Sequence, residues 1–164
     1  MQRLSARALM TNLPFVNVLA DDFAILDTDG VLMANLEASI AVCLYDAVFE
    51  PGALLHLKAM PDKSLDTELT DVVLAADLLL LEQVFDALQA TAPRAQYWQA
   101  KILTHCPPEE IALASVVETV ASFAADWLTE KGVQVVDRQI LDGRRARLQF
   151  RPQMGQLRTA PVHD

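Results

Sequence analysis

A chain of 164 residues, 52% hydrophobic and 21% charged, has the size and apolar content to build one core, so a single domain is expected. Its 22 acidic side chains outnumber the 13 basic ones, and a net charge of -9 repels a phosphate backbone, which excludes nucleic acid as the expected partner. The longest apolar stretches, Val72 to Leu81 and Ile111 to Leu128, are broken by Asp77, Glu118 and Asp126 and do not supply the roughly twenty unbroken apolar residues of a membrane span, so no membrane insertion is expected.

In chain order, Met1 to Met10 carries Arg3 and Arg7 but lacks the continuous apolar stretch of a secretory signal, and a cytoplasmic location is expected. Phe23 to Leu26 and Val31 to Leu36 read as strands separated by the turn Asp27-Thr28-Asp29-Gly30. Ile40 to Tyr45 and Ala53 to Ala59 read as an antiparallel hairpin around Glu50-Pro51-Gly52, ended by Pro61. From Thr67 to Ala90, Leu74, Leu78, Leu81, Phe85 and Leu88 recur at helical spacing, with Asp66 or Thr67 as the cap.

Ala95 to Thr104 alternates as a strand does. A second helix is marked by Pro107-Pro108-Glu109-Glu110 in its first turn and Lys131-Gly132 at its end, with Val116, Val120, Phe123 and Trp127 on its buried stripe. Val133 to Ile140, Ala146 to Phe150 and Gln156 to Thr159 read as strands joined by turns at Asp142-Gly143 and Met154-Gly155, and the last few residues are expected to fray. No repeat or linker divides the chain. The expected class is α+β, with mixed β-sheets and two long helices packed against them.

One block is more specific. Ala38-Ser39-Ile40-Ala41-Val42-Cys43-Leu44-Tyr45-Asp46 is followed by Gly52-Ala53-Leu54-Leu55-His56 and then Met60-Pro61. It resembles the signature of the CheD family of chemoreceptor glutamine deamidases, in which Gly-Ser-Cys opens a Val-Ala-Val-Cys strand and Gly-Ala-x-x-His follows on the next. Further along, Leu128 and Gly132, Gly143-Arg144-Arg145, and Phe150-Arg151-Pro152 with Gly155 resemble the family's closing helix, Gly-Arg turn and hairpin. The likeness spans about Val31 to Arg158 and implies a CheD-like fold for the whole chain.

In that family a cysteine thiolate attacks the carboxamide of a receptor glutamine, a histidine manages the protons and a threonine orients the histidine, the usual logic of an activated nucleophile. The resemblance places the catalytic pair on Ser39 and His56 and the orienting third position on Met33. Serine is a far weaker acid than cysteine, and a thioether donates no hydrogen bond. The Gly-Ser before the nucleophile is Glu37-Ala38 here, and a Gly-Gly-Ala loop is replaced by Thr104-His105-Cys106. A carboxylate beside the site opposes an oxyanion, and the lost glycines remove close backbone approach.

Cys43 matches a non-catalytic family cysteine and, roughly 13 Å along the strand from Ser39, is expected in the core. Cys106 is expected to be a buried thiol, since a His105-Cys106 pair lacks the ligand count of a metal site; no metal or cofactor is expected. Both thiols are expected to be reduced. Asp21-Asp22, Asp27, Asp29 and Glu109-Glu110 fit solvated turns, as do Arg144, Arg145 and Arg147, which would otherwise suit an acidic partner.

The resemblance thus implies a chemotaxis protein that binds a chemoreceptor cytoplasmic domain or a CheC-type phosphatase with little or no catalysis. The alternative it implies is an active deamidase using Ser39 and His56. A chance match on an unrelated α+β domain is the third reading.

Overall fold

The Asp- and Gly-rich breaks do more than turn the chain, because two of them hand it from one sheet to another. The structure, a computed structural model, describes residues 13–48, 51–59 and 67–162. Met1 to Met10, Glu50, Met60-Pro61, the capping side chains of Asp66 and Thr67, and the residues beyond Val162 lie outside the described set.

The elements are β1 (Phe15–Asn17), β2 (Asp22–Leu26), β3 (Val31–Leu36), β4 (Ser39–Asp46), β5 (Gly52–Lys58), α1 (Thr67–Thr91), β6 (Trp98–His105), α2 (Ile111–Glu130), β7 (Gln134–Leu141), β8 (Arg145–Arg151) and β9 (Gln156–Val162). A five-stranded sheet has the order β2-β5-β4-β6-β7, and a four-stranded sheet the order β1-β3-β8-β9. Both are mixed, with parallel pairs at β6–β7 and β1–β3 and antiparallel pairs elsewhere. The expected β4–β5 hairpin forms, with Val42 opposite Leu55 and Tyr45 opposite Gly52. The Asp27–Gly30 turn carries the chain from the larger sheet to the smaller, and so does Asp142-Gly143, where Gly143 takes φ +97°.

The α+β class is as expected, and its layering is specific: both helices cover one face of the five-stranded sheet, and the four-stranded sheet covers the other. Ile40, Val42, Leu55 and Leu57 meet Leu81, Leu88, Val116 and Val120 on the helical side. Ala41, Cys43, Leu54 and Leu103 meet Leu32, Leu36, Leu148 and Phe150 between the sheets. All eight residues of β4 are therefore buried, which explains its nearly unbroken apolar run.

The second helix departs from expectation at its start. Pro107 to Glu110 forms a turn closed by the Glu110 amide donating to the Pro107 carbonyl, and the helix begins only at Ile111, so no acidic side chain lies in its first turn. Its end is as expected. Gly132, at φ +83°, donates to Thr129 and Val133 donates to Leu128, the paired bonds of a Schellman motif. The buried stripe runs through Leu113, Val116, Val117, Val120, Ala121, Ala124 and Leu128. Small alanines let the helix approach the sheet, while Phe123 and Trp127 are only partly buried; Trp127 packs edge-on to Phe85 of α1 at 5.9 Å. Among the described residues α2 is the one helix long and apolar enough to cross a membrane, and here that stripe serves as a core face.

Gly52, which opens the Gly-Ala-x-x-His strand, is needed for space. A Cβ there would lie 2.2 Å from the Pro152 side chain and 2.7 Å from the Leu44 carbonyl oxygen, and neither neighbour is the free end of a flexible chain. Gly52→Ala is expected to cost about 3 kcal/mol, read as a lower midpoint in chemical denaturation, by forcing β5 away from β4 or from the Pro152 turn. An unchanged midpoint would show that this contact is not tight.

Candidate functional site

Because side chains alternate along strands, the register decides which residues meet at the end of the sheet. Ser39 opens β4, opposite Lys58 of β5 and His105 of β6, while His56 of β5 is opposite Ala41. Ser39, His56 and His105 therefore share the face of Ala41, Leu54 and Leu103, which looks toward the four-stranded sheet. Their relative exposures are 1%, 4% and 0%.

The two residues that the family signature singles out are in contact. The Ser39 Oγ and His56 Nε2 atoms are 3.0 Å apart, and His56 Nδ1 lies 3.0 Å from the Val18 carbonyl oxygen. A carbonyl only accepts, so Nδ1 carries the proton, Nε2 is the acceptor and the serine hydroxyl donates to it. The resulting chain, hydroxyl to imidazole to carbonyl, has the order of a nucleophile, a base and an orienting group. Burial holds the His56 pKa below its ordinary value of 6.5, against the upward pulls of the Val18 hydrogen bond and Asp21, while Lys58 lowers it further. The neutral tautomer is the one the hydrogen bonds require.

The Met33 side chain does not touch His56, and only its main chain reaches this row, one step removed. Its thioether lies on the outer face of the four-stranded sheet, where Gln149 Nε2 donates to it at 3.9 Å. Its carbonyl accepts from the Val18 amide at 2.7 Å, and Val18 in turn holds His56. Asp21 completes the support: its amide donates to the His56 carbonyl at 2.6 Å, and its carboxylate accepts from the Lys58 amide at 3.1 Å. Asp21 thus has a definite role beyond the solvated turn expected of it.

On the other side of Ser39 the site is closed. His105 Nε2 donates to the Gly143 carbonyl at 2.8 Å, which leaves Nδ1 as acceptor for the Ala38 amide at 3.2 Å. The Glu37 amide donates to Ser39 Oγ itself at 3.1 Å. Two backbone donors beside the hydroxyl are thus already engaged. Ala38 holds φ +50°, a left-handed conformation uncommon for alanine, and its carbonyl accepts from the Ala59 amide at 2.8 Å.

A cleft of about 160 Å³ opens beside this row, lined by Asn17, Val18, Leu19, Ala20, Asn35, Glu37, His56 and Lys58. His56 reaches its wall and Ser39 does not. The exposed Glu37 carboxylate stands at its edge.

Neither cysteine joins the row. Cys43 is fully buried between the sheets, and burial pushes its thiol pKa far up. Cys106 is half-buried rather than buried, because it packs toward the helical side, where its thiol donates to the Glu110 carbonyl at 3.3 Å. Desolvation and then Glu110 and Glu109 raise its pKa, the opposite of what a nucleophilic thiol needs. Among the described residues no group of three or more His, Cys, Asp or Glu side chains could hold a metal ion.

In the sequence His105 stands out only as part of Thr104-His105-Cys106, the segment in place of the family's glycine loop, and as a neighbour of Cys106. Its strand parity with Leu103 was the signal that placed it beside Ser39 instead. Val18 acts through a backbone carbonyl and left no such signal.

Two outcomes are expected from this row. A histidine whose folded pKa is depressed leaves the unfolded chain the better proton acceptor. The His56 contribution is complete above pH 6.5 and is lost as the pH falls below it, so wild-type stability should drop across that window. His56→Gln should flatten that slope in denaturation midpoints measured from pH 8 to 5; an unchanged slope would place the titration elsewhere. Separately, His105→Ala leaves the Ala38 amide and the Gly143 carbonyl without partners and should cost about 3 kcal/mol, measured by the same denaturation. A loss below about 0.5 kcal/mol would mean that these groups find other partners.

In comparison with known proteins, no family model and no curated sequence matches the chain, so the likeness to the CheD family rests on the motif residues themselves.

Proposed function

We propose that the chain is a cytoplasmic, CheD-like chemotaxis protein that binds a chemoreceptor cytoplasmic domain, or secondarily a CheC-type phosphatase, without deamidating it. The observation that carries this reading is the Ala38 amide held by His105. Attack on a glutamine carboxamide places negative charge on the carbonyl oxygen, and donors aimed at that oxygen are the largest aid to the step, each worth about 100- to 1,000-fold in rate. Here the amides of Glu37 and Ala38 are engaged by Ser39 and His105. Ser39 is also shut away from the cleft at 1% exposure, and a carboxylate stands at the cleft edge.

A second reading, an amidohydrolase with Ser39 as nucleophile and His56 as base, is favoured by one observation: the serine, histidine and Val18 carbonyl are already aligned at 3.0 Å steps. One experiment separates the two. The full chain is titrated calorimetrically against a receptor cytoplasmic fragment, and the fragment is then analysed by mass spectrometry for glutamine-to-glutamate conversion. Binding without conversion is expected. Conversion that disappears in both Ser39→Ala and His56→Ala would establish the hydrolase instead. Absence of binding at about 100 μM fragment would remove the receptor-binding reading.

A further inference from the structure

The outer face of the four-stranded sheet differs in charge from the rest of the chain. β1, β3, β8 and β9 contain no Asp or Glu, although the chain has 22, and they carry four arginines: Arg145, Arg147, Arg151 and Arg158. The inward residues of β8 are Ala146, Leu148 and Phe150, so all three of its arginines share the outward face with Gln149. Arg158 of β9 is opposite Gln149, diagonal to Arg147 and Arg151. Alternate residues on a strand are about 7 Å apart and diagonal neighbours about 7–8 Å, so the arginines form a closely spaced row and a half.

A carboxylate from outside these strands meets the row at Arg151. Asp29, in the β2–β3 turn, accepts from Arg151 Nε at 2.8 Å and from its Nη2. Arg147 and Arg158 are exposed and form no ion pair among the described residues. Like charges at this spacing on a sheet repel one another, so an opposite charge bound across Arg147 and Arg158 relieves that repulsion. Beside Arg151 and Arg158 the same face holds a shallow depression floored by Leu13, Phe15 and Val31, where Phe15 is 47% exposed. The face also continues into the His56 cleft, because Asn35, opposite Arg147, and Asn17 line that cleft.

We propose that this face docks an acidic amphipathic helix of another protein, with carboxylates on Arg147 and Arg158 and an aliphatic side chain in the Leu13–Phe15–Val31 depression. Carboxylates three or four residues apart on a helix lie about 5–6 Å from each other, within reach of guanidinium groups spaced as these are. A long polyanion such as nucleic acid extends beyond the patch and meets the field of a chain with net charge -9, whereas a short acidic segment is held within about one screening length of the arginines. Residues 1–12 of the chain itself carry Arg3 and Arg7 and no carboxylate, so they do not match the patch in charge. The docking site stands apart from the receptor-binding reading above and holds whether or not that reading does.

The test uses the full chain and a labelled, helix-stabilised peptide of about twenty residues with glutamates at i, i+4 spacing and a leucine stripe, followed by fluorescence anisotropy. Binding is expected at low salt and is expected to weaken at least about tenfold between roughly 50 and 300 mM salt. The Glu→Gln peptide and the Arg147→Glu/Arg158→Glu protein should each lose at least about tenfold, while Arg94→Glu/Arg138→Glu, an equal charge change elsewhere, should keep its affinity. Equal circular dichroism melting of the two variants confirms that both are folded. No binding of the glutamate peptide, or an equal loss in both protein variants, would overturn the proposal. So would tighter binding of a single-stranded oligonucleotide, or self-association of the chain that Arg147→Glu/Arg158→Glu abolishes, since either assigns the face to another occupant.

Discussion

A sheet with a core on each side makes an unsatisfied polar group costly. The central strand β4 is buried along its whole length, against helices on one face and a second sheet on the other. Any hydroxyl, imidazole or main-chain amide at its end must find its partner within the protein, because an unpaired one costs about 1–3 kcal/mol. The arrangement around Ser39 follows from that demand. His56 receives its hydroxyl proton, the Glu37 amide serves its oxygen, and His105 bridges the strand entrance to the Asp142-Gly143 crossover. The same bonds that would align a nucleophile also satisfy a buried serine.

What distinguishes the two roles is the state of the neighbouring amides. A catalytic hydroxyl needs a substrate path and free donors for the charge that develops. Here the donors face protein acceptors and the path ends at His56. His105 does the greatest part of this, since one ring occupies the Ala38 amide and ties it to the far crossover. Ala38 keeps the left-handed turn that brings its amide to that ring, with alanine where glycine would be more comfortable.

Much of this was legible in the sequence. The unbroken apolar run of β4, the glycine at the head of β5 and the Lys131-Gly132 stop of α2 each state a local requirement that the fold keeps. The pairing of Ser39 with His56 came from the resemblance to the CheD signature, and the hairpin register, which sets Ser39 opposite Lys58 and His56 opposite Ala41, puts the two on one face. Other features follow from long-range packing and carry no local mark. The start of α2 moved past Glu110 because Pro107 and Pro108 close a turn of their own. Its buried stripe runs through alanines that let the sheet lie close, leaving Phe123 only partly buried and Trp127 edge-on to Phe85 of α1. The Met33 carbonyl and the Val18 carbonyl are invisible to motif reading, since any residue supplies them.

The crossovers between sheets have a consequence for assembly. The strand neighbours Met33 and Gln149 are 116 positions apart, so the four-stranded sheet closes only once most of the chain is available. The hairpin of β4 and β5 pairs residues close in sequence and is free to form first. Until β8 arrives, Ala41, Cys43, Leu54 and Leu103 present a bare apolar face, the kind of transient surface on which aggregation begins. The strand order therefore puts the covering of that face late in assembly, independently of anything the finished protein binds.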